Sequence, residues 1–567
     1  MAILAIIGSI AFVVLAVYIL FTLLDDKQQI YSTDKPTGKN ILIAIGKILL
    51  IIILFIALNY FLMVKINLRY TGLLIVLSIL VILALAFIQK ELKLESNKVG
   101  VVASGIFALL FVVVLLVYGL FGGRVFLHAE AYSELLDIEE ATFNEDVETV
   151  DVSTLPIVDK SYGEKLGALK LGEYPGIGSE FEAGEYSDII YNGTQYLVAP
   201  LEYRGVFKWL SNRGTGTPGY ILINKITAET TLINLTDSDG IGMQYTPSAY
   251  FEQDITRYAY FNGMHKYAFE GMYFEIDEEM NPYYILQYSL PTIFINGGKD
   301  IAKIAVVNAV TGEFDMYDPE DVPDWVESVY PPSLLLTHLN YWGSLQDGWL
   351  NSFLAQKGVL QASDGKRTVK NGDGLYYFTG LTSAGSDEST IGFVYMNTRT
   401  KHADLYKFPG ATESAAMNKS LTLIPQNNIF TAFPIPINVN NSPTYFIIIK
   451  GEDGRIIRQV FMNVQDLELY GIADKKTNAY NEYLLNLGGA NQSDLESSSG
   501  ILMNIDSYVS EGNTIYWITL DDNYLYLINV STFDIDDMRY FMSLTIGDTI
   551  HFKAQEYTII DFVPENE

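Results

Sequence analysis

Cysteine is absent from all 567 residues, which excludes disulfides, thiol nucleophiles and thiolate-ligated zinc at the outset. Histidine is nearly as scarce: His128, His265, His338, His402 and His551 are the full set, and the two nearest in sequence, His338 and His402, lie 64 residues apart. No H-E-x-x-H or H-x-x-x-H pair exists, so the sequence offers no local zinc site, and His402, next to Lys401, reads as a solvated surface residue. Phosphate loops are missing too, since NGDGLYYFTG lacks the Lys and Thr of a P-loop, and no G-x-S-x-G elbow supports a hydrolytic triad. Positive charge is the third shortage: 36 Lys and Arg face 67 Asp and Glu, a net charge of −31. Ten of the basic and five of the acidic residues fall within residues 1–124, leaving 26 against 62, a net of −36, for the rest. Such a surface repels phosphate backbones, which argues against nucleic acid as a partner.

Long apolar runs, by contrast, fill the beginning of the chain. They cover 2–24, 41–63, 72–88 and 100–122, each close to the roughly 20 residues that cross a bilayer core of about 30 Å. The first lacks the basic n-region and small-residue exit of a signal peptide. Lys27, Lys35, Lys39, Lys90, Lys93 and Lys98 lie in the first and third loops, whereas Lys65, Arg69 and Arg124 flank the others. The positive-inside rule then places both termini outside the cell. The expectation is a four-helix transmembrane anchor at 1–124, a multi-pass cell-membrane location with N- and C-termini extracytoplasmic, and the membrane itself as a partner. The runs hold no Asp or Glu, and Lys47 is their only inner basic residue, which disfavours an ion path or transporter. A large extracytoplasmic body without disulfides fits a bacterium with a single membrane.

Beyond residue 124 the pattern changes to short strands separated by Gly, Asn, Asp and Pro. One unit recurs: an apolar strand, then Asn-x-x-Thr, then a more polar strand. It occurs at Asn224 and Thr227, Asn308 and Thr311, Asn397 and Thr400, and Asn529 and Thr532. An Asn side chain can bond its own backbone at a turn, so each unit reads as a strand reversal. The unequal separations of 84, 89 and 132 residues argue against a regular propeller. The chain is therefore expected to hold strand-rich α+β modules at 125–330 and 331–470, a helix and linker at 471–500, and at 501–567 a small closed β-barrel of the OB type, where five strand candidates occupy the last 67 residues.

Two resemblances add to this reading. GKDIAKIAVVNAVTGEFDMYDP resembles the core hairpin of PepSY-type domains, which implies a non-catalytic, regulatory or inhibitory role near an envelope enzyme. IVDKSYGEKLGALKLGE, PLEYRGVFKWLSNRGTGTPGYILINK, VVNAVTGEFDMY with VPDWVESVYP, and TSAGSDESTIGFVYMNTRT look like an uncharacterised group of multi-pass membrane proteins of Gram-positive bacteria. That second likeness implies topology and carries over no functional residue.

The candidate sites are sparse. Arg204, Lys208 and Arg213 in EYRGVFKWLSNRG form a basic cluster in an acidic body, on a segment whose spacing suits an amphipathic helix packed on a sheet through Phe207 and Leu210. They are the candidate contact for an anionic ligand or partner. Asp387 and Glu388 in GSDES are a candidate cation site. No cofactor is expected. The function these features support is a membrane-anchored extracytoplasmic scaffold, sensor or regulator that binds a protein or cell-envelope component, with homo-oligomerisation open. The alternative is a cell-wall hydrolase acting through carboxylates, and a channel or transporter comes third.

Overall fold

The computed structural model describes residues 121–567, apart from 384–388, 491–495, 511–512, 523, 530–534, 556–557 and 564–567; before residue 121 it describes 59–63 and positions 53, 56–57, 65, 67, 69–70, 113 and 117–118. Among the described residues no helix is long and apolar enough to cross a membrane. The longest, Lys476–Ala490, has 15 residues, about 22 Å at 1.5 Å per residue, against a bilayer core of about 30 Å. This corrects the expected four-helix anchor, and with it the multi-pass cell-membrane location, the extracytoplasmic termini and the membrane as partner. The four apolar runs on which that expectation stood lie almost wholly outside the described residues.

Two compact units emerge. The first takes 1–141, 156–386 and 391–407; the second takes 142–155, 387–390 and 408–567. The first contains three copies of one motif and the second a fourth, followed by a barrel.

The motif is a helix followed by an antiparallel sheet. In the first repeat, helix Lys160–Gly172 precedes strands Phe181–Ala183, Ser187–Tyr191, Thr194–Tyr203, Gly219–Asn224 and Thr230–Asn234. The two short leading strands both pair with the long one, at its opposite ends: Phe181 opposes Tyr203, and Tyr191 opposes Thr194. The third repeat has helix Pro332–Leu345 and strands Leu360–Ala362, Arg367–Asn371, Gly374–Ser383, Ser389–Asn397 and Ala403–Ala411, with the same division of the leading strand. The fourth has helix Glu413–Thr422 and strands Ile429–Thr431, Ile435–Val439, Ser442–Gly451, Ile456–Asn463 and Tyr470–Ala473, again with two short strands on one long one. The second repeat is simpler, helix Ile255–Phe261 and a four-strand meander Ala268–Ile276, Pro282–Ile293, Gly297–Asn308 and Phe314–Tyr317.

Turn chemistry explains the recurrence. In the first three repeats the Asn side-chain oxygen accepts two backbone amides, at 2.8 and 3.0 Å for Asn224, 3.0 and 2.9 Å for Asn308, and 2.9 and 3.0 Å for Asn397. The Thr hydroxyl then accepts the amide two residues on, that of Glu229, Glu313 or His402. Ala228, Gly312 and Lys401 complete the reversal at positive φ. The fourth turn is Asn463-Val464-Gln465-Asp466, where the Asp466 carboxylate takes the hydroxyl's place and accepts from Glu468 N at 3.0 Å. The motif at Asn529 is different: it ends a barrel strand, Leu525–Asn529, and the next described element is a helix, Ile535–Ser543.

Strands such as YILIN are apolar on consecutive residues because both faces of the first sheet are covered. Leu197, Ala199, Ile221 and Ile223 pack with Leu171 of the leading helix, while Val198, Tyr220 and Leu222 pack against Phe274, Tyr284 and Leu286 of the second sheet. Helix and sheet approach closely at Gly167, where any Cβ would meet the Tyr186 hydroxyl at 1.8 Å. In the third repeat Leu335 and Leu339 of the helix pack on Leu381, Val394 and Leu405. A short strand from far upstream, Ile138–Ala141, extends this sheet by pairing in parallel with the strand that begins at Ala403.

In the second unit the helix Lys476–Ala490 covers the fourth sheet. Tyr483 is fully buried there, its hydroxyl shared with Thr444 at 2.8 Å and Asn463 at 3.3 Å. Gly471 lets the helix backbone come close, since a Cβ there would meet the carbonyl of Ala479 at 2.1 Å. The last five strands, Glu496–Ser510, Asn513–Leu520, Leu525–Asn529, Thr549–Gln555 and Thr558–Phe562, close a barrel in the order 1-2-3-5-4, with the third and fifth parallel and the helix between the third and fourth. That is the OB topology.

Candidate functional site

In the first repeat the connection between the two central strands is not a turn. It runs through 204–218 and contains the helix Val206–Asn212. Gly205 starts it with φ 88° and ψ 177°, a region open essentially to glycine. Trp209 is the residue this helix buries, at 3% exposure. Its indole N–H donates to Gln253 Oε1 at 2.8 Å, and its ring lies 5.4 Å from Tyr250 and 5.9 Å from Phe251. Gln253 in turn donates to the Arg213 carbonyl at 3.1 Å and to Gln244 at 3.1 Å, closing the loop onto the body.

The expected orientation is therefore reversed. Phe207 and Leu210 do not pack on the sheet; they are 80% and 48% exposed, and Val206 lies beside them. Phe251, 47% exposed, holds φ at +57°, an outlier conformation for a bulky side chain. The result is an outward apolar surface resting on a rigid Trp-centred base. The basic residues sit at its rim. Arg204 pairs with Glu182 at 3.1 Å and donates to the carbonyls of Gly178 and Phe181; Lys208 lies 3.8 Å from Glu180. Arg204 and Lys208 are thus engaged by carboxylates of the chain itself, which weakens their reading as an anion site. Arg213 contributes its backbone to the helix C-terminus. Asp387 and Glu388 lie outside the described residues.

Among the described residues, carboxyls raised above their ordinary range occur in two places. Glu182 and Glu202 are cross-strand partners, and burial, with Glu182 adding to it, pushes the Glu202 carboxyl up to about 7. Glu275, fully buried, accepts the backbone amides of Glu327 at 2.8 Å and Ser328 at 2.9 Å, holding the passage from the second repeat to the third. Burial raises Glu275 to about 7 and, with Glu275 as its neighbour, Glu327 to about 8. An ion pair, Lys225 with Asp188, is buried in the first repeat. These groups fasten strands and connections to one another.

One cluster was invisible to spacing arguments. Asp137, Glu139 and His402 bring ligand-type atoms within 4.8 Å of one another, with Asp404 beside them at 3.2 Å from His402 Nε2. His402 is therefore no isolated surface residue. Its partners lie some 265 positions upstream, and only the parallel pairing of Ile138–Ala141 assembles them.

These features define a chain of helix-led hairpin repeats with one elaborated connection and a terminal OB-type barrel. Compared with known protein families and with curated proteins, the chain matches none.

Proposed function

We propose that this protein is a non-catalytic scaffold or regulator that binds another protein through the inserted helix of its first repeat. The observation that carries the reading is the outward apolar face of Val206–Asn212. An exposed aromatic patch with a charged rim is the anatomy of a recognition surface, and aromatic anchors supply most of the energy in such contacts. The second repeat makes the equivalent connection in 294–296 and the fourth in 452–455, so the motif itself does not require the helix. The likeness of the second repeat's hairpin to PepSY modules agrees with a regulatory role.

The test is affinity capture from the source cells with the wild-type chain and with Phe207→Asp/Leu210→Asp. A partner held by the wild type and lost by the variant, at unchanged circular dichroism, is the expected outcome; identical captures by both would sink the proposal. A second reading, a hydrolase acting on a polymer through carboxylates, draws on Glu202 and its cross-strand partner Glu182, where burial raises the Glu202 carboxyl to about 7 and Arg204 pairs with Glu182 at 3.1 Å. It predicts glycan cleavage that Glu202→Gln, which removes the raised acid, abolishes.

A further inference from the structure

The strand Ile138–Ala141 pairs in parallel with the strand that starts at Ala403, with Ile138 opposite Ala403 and Glu139 opposite Asp404. Side chains alternate between the faces of a sheet, so this register sorts the residues into two sets. Ile138, Ala403 and Leu405 enter the core with Leu335 and Leu339. Asp137, Glu139, His402 and Asp404 share the opposite, outward face. Two consecutive same-face residues on each strand make a two-by-two grid of three carboxylates around one imidazole.

Within the grid the imidazole has a carboxylate on either side. Its Nε2 lies 3.2 Å from Asp404 Oδ1, and its Nδ1 lies 4.0 Å from Asp137 Oδ2. Nε2 is thus the ring nitrogen beside Asp404, and Nδ1 the one that faces Asp137. A carboxylate that orients a ligating histidine from behind is the usual second layer of a metal site. Electrostatics point the same way. Glu139 and Asp404 are like charges placed directly opposite across two strands, an arrangement that costs stability until a cation lies between them.

We propose that Asp137, Glu139 and His402 Nδ1 bind a divalent transition cation, Zn²⁺ by preference, with Asp404 orienting the imidazole. Nitrogen and carboxylate donors bind zinc at about 2.0–2.2 Å, which asks two exposed carboxylates and a half-buried imidazole, their ligand atoms now within 4.8 Å of one another, to draw together by roughly 1 Å. Water completes the coordination. The ion clips a four-residue strand onto a sheet whose paired strand lies 265 residues later in the chain. The site is separate from the inserted helix, so its success or failure leaves the partner-binding proposal untouched.

The experiment is titration of the full chain, stripped with chelator, by ZnCl₂ in a calorimeter, with melting temperatures recorded with and without the metal. One Zn²⁺ per chain is expected, together with a higher melting temperature. His402→Ala removes the thermal shift and weakens binding at least 10-fold, while Asp404→Asn weakens it about 10- to 100-fold, the range of lost second-layer carboxylates. Equal melting temperatures of metal-free wild type and His402→Ala show that the variant folds. Absence of Zn²⁺ binding, or binding that His402→Ala leaves unchanged, overturns the proposal. So does Ca²⁺ binding to wild type and His402→Ala alike with an affinity matching Zn²⁺, which marks a pool of surface carboxylates.

Discussion

The first and fourth repeats follow the same path, a leading helix, a divided strand, two long strands and an Asn-anchored reversal, yet they differ at one connection. In the fourth, four residues around Asp453 and Gly454 join the long strands; in the first, fifteen residues do, and seven of them form a helix. The shared part shows what the motif needs in order to fold. The difference isolates what it does not need, and that surplus carries the most exposed aromatic of the insertion, Phe207.

The largest effect lies where helix Lys476–Ala490 covers the sheet of the fourth repeat. Tyr483→Ala removes a fully buried ring and the hydroxyl that Thr444 and Asn463 share, and is expected to cost about 3–5 kcal/mol by chemical denaturation. A loss below about 1 kcal/mol would mean that helix Lys476–Ala490 does not anchor that repeat.

A smaller effect tests the passage between repeats, a feature without counterpart in the fourth. The folded Glu327 and Glu275 carboxyls sit at about 8 and 7, above the ordinary 4.5. The folded state therefore holds protons that the unfolded chain has released, and stability falls as pH rises from about 4.5 to 8. Glu327→Gln is expected to match wild type at pH 5 and to gain on the order of 2 kcal/mol at pH 8.5. Melting curves that stay parallel across that range would show that the pair is not protonated.

Next come the reversals. Asn224→Ala in the first repeat and Asn463→Ala in the fourth each deprive two backbone amides of an acceptor, an expected loss of about 1–2 kcal/mol apiece. Equal losses sharpen the equivalence of the two repeats; a cost confined to one breaks it. The smallest effect is that of Phe207→Ser, within about 0.5 kcal/mol of wild type because the ring is 80% exposed. A large destabilisation would turn the inserted helix into part of the core and remove its claim to a partner.

The reversals were legible in the sequence because they are local: the Asn and Thr that make each turn stand within it. The fourth escaped notice because Asp466 replaces the Thr and the turn is longer, closing on Leu469. The inserted helix was placed correctly and faced wrongly. Two apolar stripes were available, and Trp209 was selected by Gln253 and Tyr250, more than forty residues away. The grid around His402 left no trace at all, because spacing rules see neighbours in sequence and this one was assembled by a parallel pair. Five strand candidates in the last 67 residues suggested a small barrel, but the order of its strands, with the third beside the fifth, is set by pairing between distant segments; the apolar runs before residue 122 lie almost wholly outside the described residues.

The division of the leading strand bears on how a chain this rich in sheet avoids templating its own aggregation. In the first, third and fourth repeats that strand is the outermost on its side of the sheet, and it is split into pieces of three and five residues. A row of unpaired amides and carbonyls recruits foreign strands when it is long and straight. Here it is interrupted before any incoming chain finds a continuous register, so on that side these three sheets terminate their own growth.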